Sequence, residues 1–312
     1  MIFGICNLKF NTFVTRLKIE NKKILKESGL EPIKHAGQNF LVSEEIIEKI
    51  ISEAKIKKGE TILEVGPGTG NLTKSLTDAG ANVLAIEKDK NLSQVLISNF
   101  QFPISKKILN VVNEDILKFD EAKIKKPYRI IANIPYYLTG HLIQKFLLSR
   151  NKPAEMIIMV QKEVGERISA KPPKMNFLSS LVQYLAEVEI LFPVKKENFW
   201  PQPKVDSVIL KLIPHQRLTS LRSYARETFG FGDIKNREFI EFLKIVFKQP
   251  RQTLFNNLRR GGVKNSEEII DQLDLPKNVR GQNLNLESLL KIFAYLNNAK
   301  LPNQNDKSIT ND

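Results

Sequence analysis

The sequence predicts an α/β fold, a mostly parallel sheet covered by helices on both faces, followed by a smaller all-helical region. Two observations carry this. Between residues 61 and 163, short apolar runs alternate with amphipathic segments at βαβ spacing. Beyond about residue 219 the strand-like runs stop and only helical patterns remain.

In chain order, SEEIIEKIISEA (43–54) sets Ile46, Ile47, Ile50 and Ile51 at helical spacing behind Ser43, a favourable N-cap. TILEVG (61–66) is a short buried strand ending in glycine, and NLTKSLTDAG (71–80) an amphipathic helix closed by Gly80. NVLAIEKD (82–89) is a second strand and NLSQVLISNF (91–100) its helix. ILNVVNED (108–115) and YRIIAN (128–133) are the third and fourth strands. A helix over TGHLIQKFLLS (139–149) then leads to a fifth strand in EMIIMVQKE (155–163). Residues 176–194 read as a helix and then a strand, and SVILKLIP (207–214) as another strand. Helical patterns follow in REFIEFLKIVFKQ, RQTLFNNLRRGG, SEEIIDQL and NLESLLKIFAYLNNA, and the polar tail KLPNQNDKSITND reads as disordered.

The charge narrows the class. Lys and Arg number 48 against 34 Asp and Glu, a formal net charge of +14, which suits a polyanionic partner. A solvated basic surface is the competing view. The single cysteine, Cys6, excludes an internal disulfide framework and a multi-cysteine metal site. His35, His141 and His215 stand in no metal-ligand spacing, so no metal is expected. No apolar run reaches the ~20 residues that span a bilayer. Residues 1–20 lack a clear cleavage site and read as an extension of unknown role; the expectation is a soluble, reduced, cytoplasmic protein.

In an open parallel sheet, ligands sit at the carboxyl ends of the strands. The first strand ends in EVGPGTG, whose Gly66, Gly68 and Gly70 let backbone approach a ligand closely. The spacing is G-x-G-x-G, not the dinucleotide G-x-G-x-x-G. Glu87 ends the second strand, where a carboxylate accepts from both hydroxyls of a ribose, or stands as a solvated strand-end acid. Asp115 ends the third, where it meets the amine of an adenine or caps the following turn. Glycines, acid and acid on three successive strand ends point together to a nucleoside.

The fourth strand runs into Asn133-Ile134-Pro135-Tyr136. Ile134 is extended because proline follows it, and Pro135 offers no N–H. The segment therefore presents acceptors, the Asn133 amide oxygen and nearby carbonyls, beside the flat ring of Tyr136. That combination receives a planar base bearing an NH2 group.

GQNFL (37–41), LEVGPGTGNLT (63–73), IEKD (86–89), NED (113–115), NIPYYLTG (133–140), MVQKEVGERI (159–168) and FWPQPKVDS (199–207) occur in one order along the chain. In that order they resemble the ribosomal RNA adenine N6-dimethyltransferase family, specifically its small-subunit branch, from about residue 21 to 298. The resemblance implies a Rossmann-like methyltransferase domain over 21–215, a helical RNA-contacting domain over 216–298 and a tail over 299–312. It implies S-adenosyl-L-methionine as cofactor, held by Asn39, Leu41, Gly66, Glu87, Asp115 and Asn133. It gives Asn133, Tyr136 and Phe199 catalytic positions, with Tyr136 and Phe199 clamping an extruded adenine. Asn39 and Leu41 follow from the resemblance alone.

The implied substrate is a pair of adjacent adenosines near the 3′ end of small-subunit (16S) rRNA. The implied partner is the pre-30S subunit, with the chain acting as a monomer. For RNA contact the basic segment KQPRQTLFNNLRRGGVK offers Arg251, Arg259 and Arg260, with Lys34 elsewhere. Tyr137 departs from the family, which often has Asn there. The runner-up readings are a large-subunit rRNA methyltransferase of the macrolide-resistance type and a non-catalytic assembly factor on the same fold.

Overall fold

The computed structural model describes residues 16–32, 38–125, 127–215 and 236–298. Lys34, most of the extension over 1–20, nearly all of 219–236 and the tail over 299–312 lie outside the described residues. The chain divides into two compact units, one spanning residues up to Glu166 together with Ala186–Gln216, the other Arg167–Leu185 together with the chain from Arg217 on.

The first unit is built on nine strands: β1 (Phe40–Leu41), β2 (Thr61–Val65), β3 (Asn82–Glu87), β4 (Leu109–Asn113), β5 (Tyr128–Asn133), β6 (Met156–Gln161), β7 (Ala186–Val194), β8 (Phe199–Trp200) and β9 (Ser207–Pro214). Seven of them form one sheet in the order β4-β3-β2-β5-β6-β9-β7. The first five are parallel, and β9 and β7 extend the sheet antiparallel. The order reverses between β2 and β5, the position at which a parallel sheet opens a crevice at its carboxyl end.

Successive strand residues point to opposite faces, yet Ile62 and Leu63, Ile130 and Ile131, and Ile157 and Ile158 are all buried. Both faces are therefore covered, as the unbroken apolar runs require. One face packs Ile62, Val83, Ile131 and Ile157 against Ile46, Ile47 and Ile50 of the helix Glu44–Ala54 and against Leu72 and Leu76 of the helix Asn71–Asp78. Ser43 caps the former by accepting from the Ile46 N–H, and Asp89 caps Lys90–Asn99 by accepting from Asn91 and Leu92. The outer strand β7 carries a bulge between Ile190 and Phe192, and its Glu187, Glu189 and Pro193 are exposed. The short ladder of β1 with β8, which pairs Leu41 with Phe199, has no counterpart in the sequence pattern, because two-residue strands carry no periodicity.

At the opposite end of the sheet from the glycine loop, Arg129 ties three elements together. Its guanidinium pairs with Glu60 at 3.1 Å and with Glu155, and donates to the Ala54 carbonyl at 2.8 Å. Lys211 meets the other Glu155 oxygen at 3.1 Å.

The second unit is helical, with Phe177–Leu185, Asn236–Val246, Leu254–Arg260, Ser266–Gln272 and Leu286–Asn298. Its core is aromatic: Phe239 meets Tyr184 at 4.5 Å and Phe293 at 5.2 Å between ring centroids, and Phe242 meets Phe293 at 5.4 Å. Tyr184 explains why the helix Phe177–Leu185, which the sequence reading assigns to the first domain, clusters with the second unit.

Arg129→Ala should leave the partly buried Glu60 without its cation and Glu155 with Lys211 alone, lowering stability by about 2 kcal/mol or more. Cofactor affinity should be unchanged. Urea unfolding beside calorimetric titration of the cofactor checks both, and an unmoved midpoint would show the pairs to be idle.

Candidate active site

The loop after β2 turns on glycines in left-handed backbone. Gly66 has φ +65°, and a Cβ there would approach Pro135 Cδ to 3.3 Å, so the glycine loop and the turn after β5 lie in contact. Gly68 has φ +59°, and a Cβ would come within 2.9 Å of the Phe40 ring. Its N–H donates to Glu87 Oε2 at 3.2 Å, while Glu87 Oε1 accepts from the Asp89 N–H at 2.9 Å. Burial raises the Glu87 pKa and these N–H donors pull against it.

Asp115 plays the capping role and keeps its place at the strand end. One oxygen accepts from the Leu117 N–H at 2.9 Å, and the other pairs with Lys88 Nζ at 2.9 Å. The Lys88 bond, first among the causes, holds its carboxyl below the usual range.

Glu64 is a functional candidate that the sequence reading passed over. It sits within apolar β2, 1% exposed, accepts from the Thr73 hydroxyl at 2.7 Å and borders the same cavity as Glu87. Burial pushes its pKa up to about 8; the Thr73 bond opposes this and the Glu87 charge adds to it. The only sequence signal was a carboxylate at an inward position of an otherwise apolar strand.

The arm before the helix Glu44–Ala54 borders the cavity. Leu41 is held by its ladder with Phe199 and by Asn71 Nδ2 donating to its carbonyl at 2.8 Å, and the Val42 N–H donates to the Asn198 carbonyl at 2.8 Å. Asn133 Nδ2 donates to the Asn39 carbonyl at 3.1 Å, which uses one of its two N–H donors and fixes which way the amide oxygen, its acceptor, faces. Tyr136 shares a 2.9 Å hydrogen bond between its hydroxyl and Ser207 Oγ, and burial raises its pKa, keeping it a neutral phenol.

Asn39, Leu41, Gly66, Glu87, Asp115, Asn133 and Tyr136 thus meet around one cavity of about 350 Å³. Phe199 does not join them. It is 3% exposed and packs in the core cluster beside Leu41, its ladder partner, so the ring expected as a clamp is found among core side chains. Trp200 instead stacks on Phe40 at 6.3 Å.

In the second unit, Arg251, Arg259 and Arg260 are exposed, while Leu254 and Leu258 on the same short helix are buried. Arg259 lies over the Phe255 ring at 5.9 Å, and Arg260 bonds the Gln249 side chain. Among the described residues no group of three or more His, Cys, Asp or Glu could hold a metal, and no helix is long and apolar enough to cross a membrane.

The Glu64 proton leaves near 4.5 in an unfolded chain and about 8 in the folded one. Its stabilising contribution is full below the lower value and is lost as pH rises to the upper one. In Glu64→Gln, which does not titrate, Tm relative to the parent should therefore climb across that window and then level off. Parallel melting profiles would mean that Glu64 is ionised throughout.

A family model described as ribosomal RNA adenine dimethylase matches residues 33–298. A curated relative from Clostridioides difficile, ribosomal RNA small subunit methyltransferase A, is 35% identical over 295 residues, covering 89% of this chain and 93% of its own length. The crystal structure of a dimethyladenosine transferase from Plasmodium falciparum has a TM-score of 0.68 at 27% identity, over 82% of this chain and 96% of that one. The structure of the 23S rRNA methyltransferase ErmE, at 22% identity and a TM-score of 0.64 over 83% of this chain and 100% of that one, shares the fold. The family match and the extent of these likenesses lead to one conclusion: the chain belongs to the ribosomal RNA adenine dimethylase family.

Proposed function

We propose that this protein transfers methyl groups from S-adenosyl-L-methionine to N6 of two adjacent adenosines near the 3′ end of 16S rRNA. It acts in the cytoplasm as a monomer on the pre-30S particle, without a metal. The observation that carries the reading is the convergence of Glu87, Asp115, Asn133 and Tyr136 on one cavity.

The residues present fit the cofactor. Glu87, fixed by two backbone N–H groups, is a bidentate acceptor for ribose hydroxyls, and Asp115 is an acceptor for the adenine amine. Asn39, Leu41 and Gly66 supply the wall on the amino-acid side. Bound there, S-adenosylmethionine supplies a methyl group activated by its sulfonium.

The target nitrogen is a poor nucleophile because its lone pair is delocalised into the purine. The Asn133 oxygen accepts one N6–H bond and a backbone carbonyl accepts the other. That carbonyl is Ile134's or Pro135's, the latter also accepting from the Leu138 N–H at 2.9 Å. These bonds draw the nitrogen towards tetrahedral geometry and stabilise the positive charge that develops on it. They also hold it in one orientation, which supplies the proximity contribution. Tyr136, fixed by Ser207, stacks on the extruded base, a contact worth ~1–3 kcal/mol. Arg251, Arg259, Arg260 and Lys34 contact phosphates.

Incubation with labelled cofactor and undermethylated small subunits, large subunits or DNA should place the label on adjacent small-subunit adenosines. Label on the large subunit would overturn the substrate assignment. Asn133→Ala should weaken cofactor binding and cut methyl transfer about 100-fold or more; near-normal turnover rejects its role. Tyr136→Ala should impair RNA methylation more than cofactor binding, whereas equal losses would make the ring structural. Neutralising Arg251, Arg259 and Arg260 together should flatten the dependence of RNA affinity on salt by about 0.7 per lost phosphate contact.

A further inference from the structure

Tyr136 and Tyr137 are consecutive residues of one 3₁₀ turn, Tyr136–Leu138, in which successive side chains diverge by about 120°. They go to different parts of the site. The Tyr136 hydroxyl is committed to Ser207 at the start of β9, and β9 lies beyond β6 on one side of β5. Tyr137 borders the same cavity along with Glu114, Asp115 and Ile116, which follow β4 on the other side of β5. Tyr137 is 55% exposed, and Lys88 borders the cavity with it. Lys88 in turn is bound to Asp115 at 2.9 Å.

We propose that Tyr137 is a cofactor-binding residue, its ring forming the outer wall of the nucleoside end of the cavity and lying against the adenine of S-adenosylmethionine. This rests on the reading of Glu87 and Asp115 as the nucleoside's acceptors. Lys88 and Asp115 supply the polar edge of that wall and Tyr137 the flat one. A large aromatic residue left more than half in water beside a cavity gains by covering that surface, and a purine face suits it. The two tyrosines then divide the work, one ring for the base that accepts the methyl group and the other for the base of the donor.

Calorimetric titration of S-adenosylhomocysteine into the full chain tests this, using Tyr137→Ala, Tyr137→Phe and Asp115→Ala. Tyr137→Ala should weaken binding about tenfold, and Tyr137→Phe, which keeps the ring, should stay within about twofold of the parent. Both should melt at the parent's Tm without ligand. Unchanged affinity in Tyr137→Ala overturns the proposal, and if RNA affinity falls instead, the ring serves a flanking nucleotide. Equal weakening in both Tyr137 variants with a lowered Tm makes the residue structural and also overturns it. Unchanged affinity in Asp115→Ala would show that the placement of the nucleoside itself is wrong, a failure distinct from that of the ring.

Discussion

The hydrogen bond from Asn133 Nδ2 to the Asn39 carbonyl sets the orientation of the amide beside the cavity, on which the proposed chemistry depends. An isolated asparagine amide presents either a donor or an acceptor to a ligand. With one N–H held by the arm, the Asn133 amide has a set orientation and its oxygen a set direction. The same bond ties the end of β5 to the segment before β1, so the cavity wall and the proposed acceptor share one anchor. Around it the other contacts fall into place: Leu41 against Phe199, Asn71 on the Leu41 carbonyl, and the Gly66 turn against Pro135.

A second constraint is electrostatic. Glu64 and Glu87 border one cavity in a chain of net charge +14, and both have pKa values raised by burial. Burial works against the charged form of both carboxyls, and a cationic neighbour works for it. The site is thus acidic inside a basic molecule. The long-range field attracts RNA, and the local one favours a ligand that carries positive charge.

Much of this was legible in the sequence, for identifiable reasons. The βαβ rhythm exposed the parallel sheet, and the rule that ligands sit at carboxyl ends exposed Gly66, Glu87, Asp115 and Asn133. Asn39 and Leu41 were reachable only through resemblance, since a two-residue strand leaves no pattern. Glu64 was hidden because one carboxylate in an apolar run resembles a solvated position until its burial is known. Tyr184 assigned its helix to the second unit through ring contacts that no local periodicity encodes. The burial of Phe199 was not legible, because a motif identifies a residue but not the direction its side chain takes.

Among the described residues the outer strand β7 has a neighbouring strand on one side only. An open strand edge is a template on which another chain can zip, and molecules with such an edge coagulate when concentrated. Here Pro193 removes a donor, the bulge between Ile190 and Phe192 breaks the repeat, and Glu187 and Glu189 repel a like edge. A newly made copy can therefore pass close to its siblings on a crowded polysome without its sheet adhering to theirs.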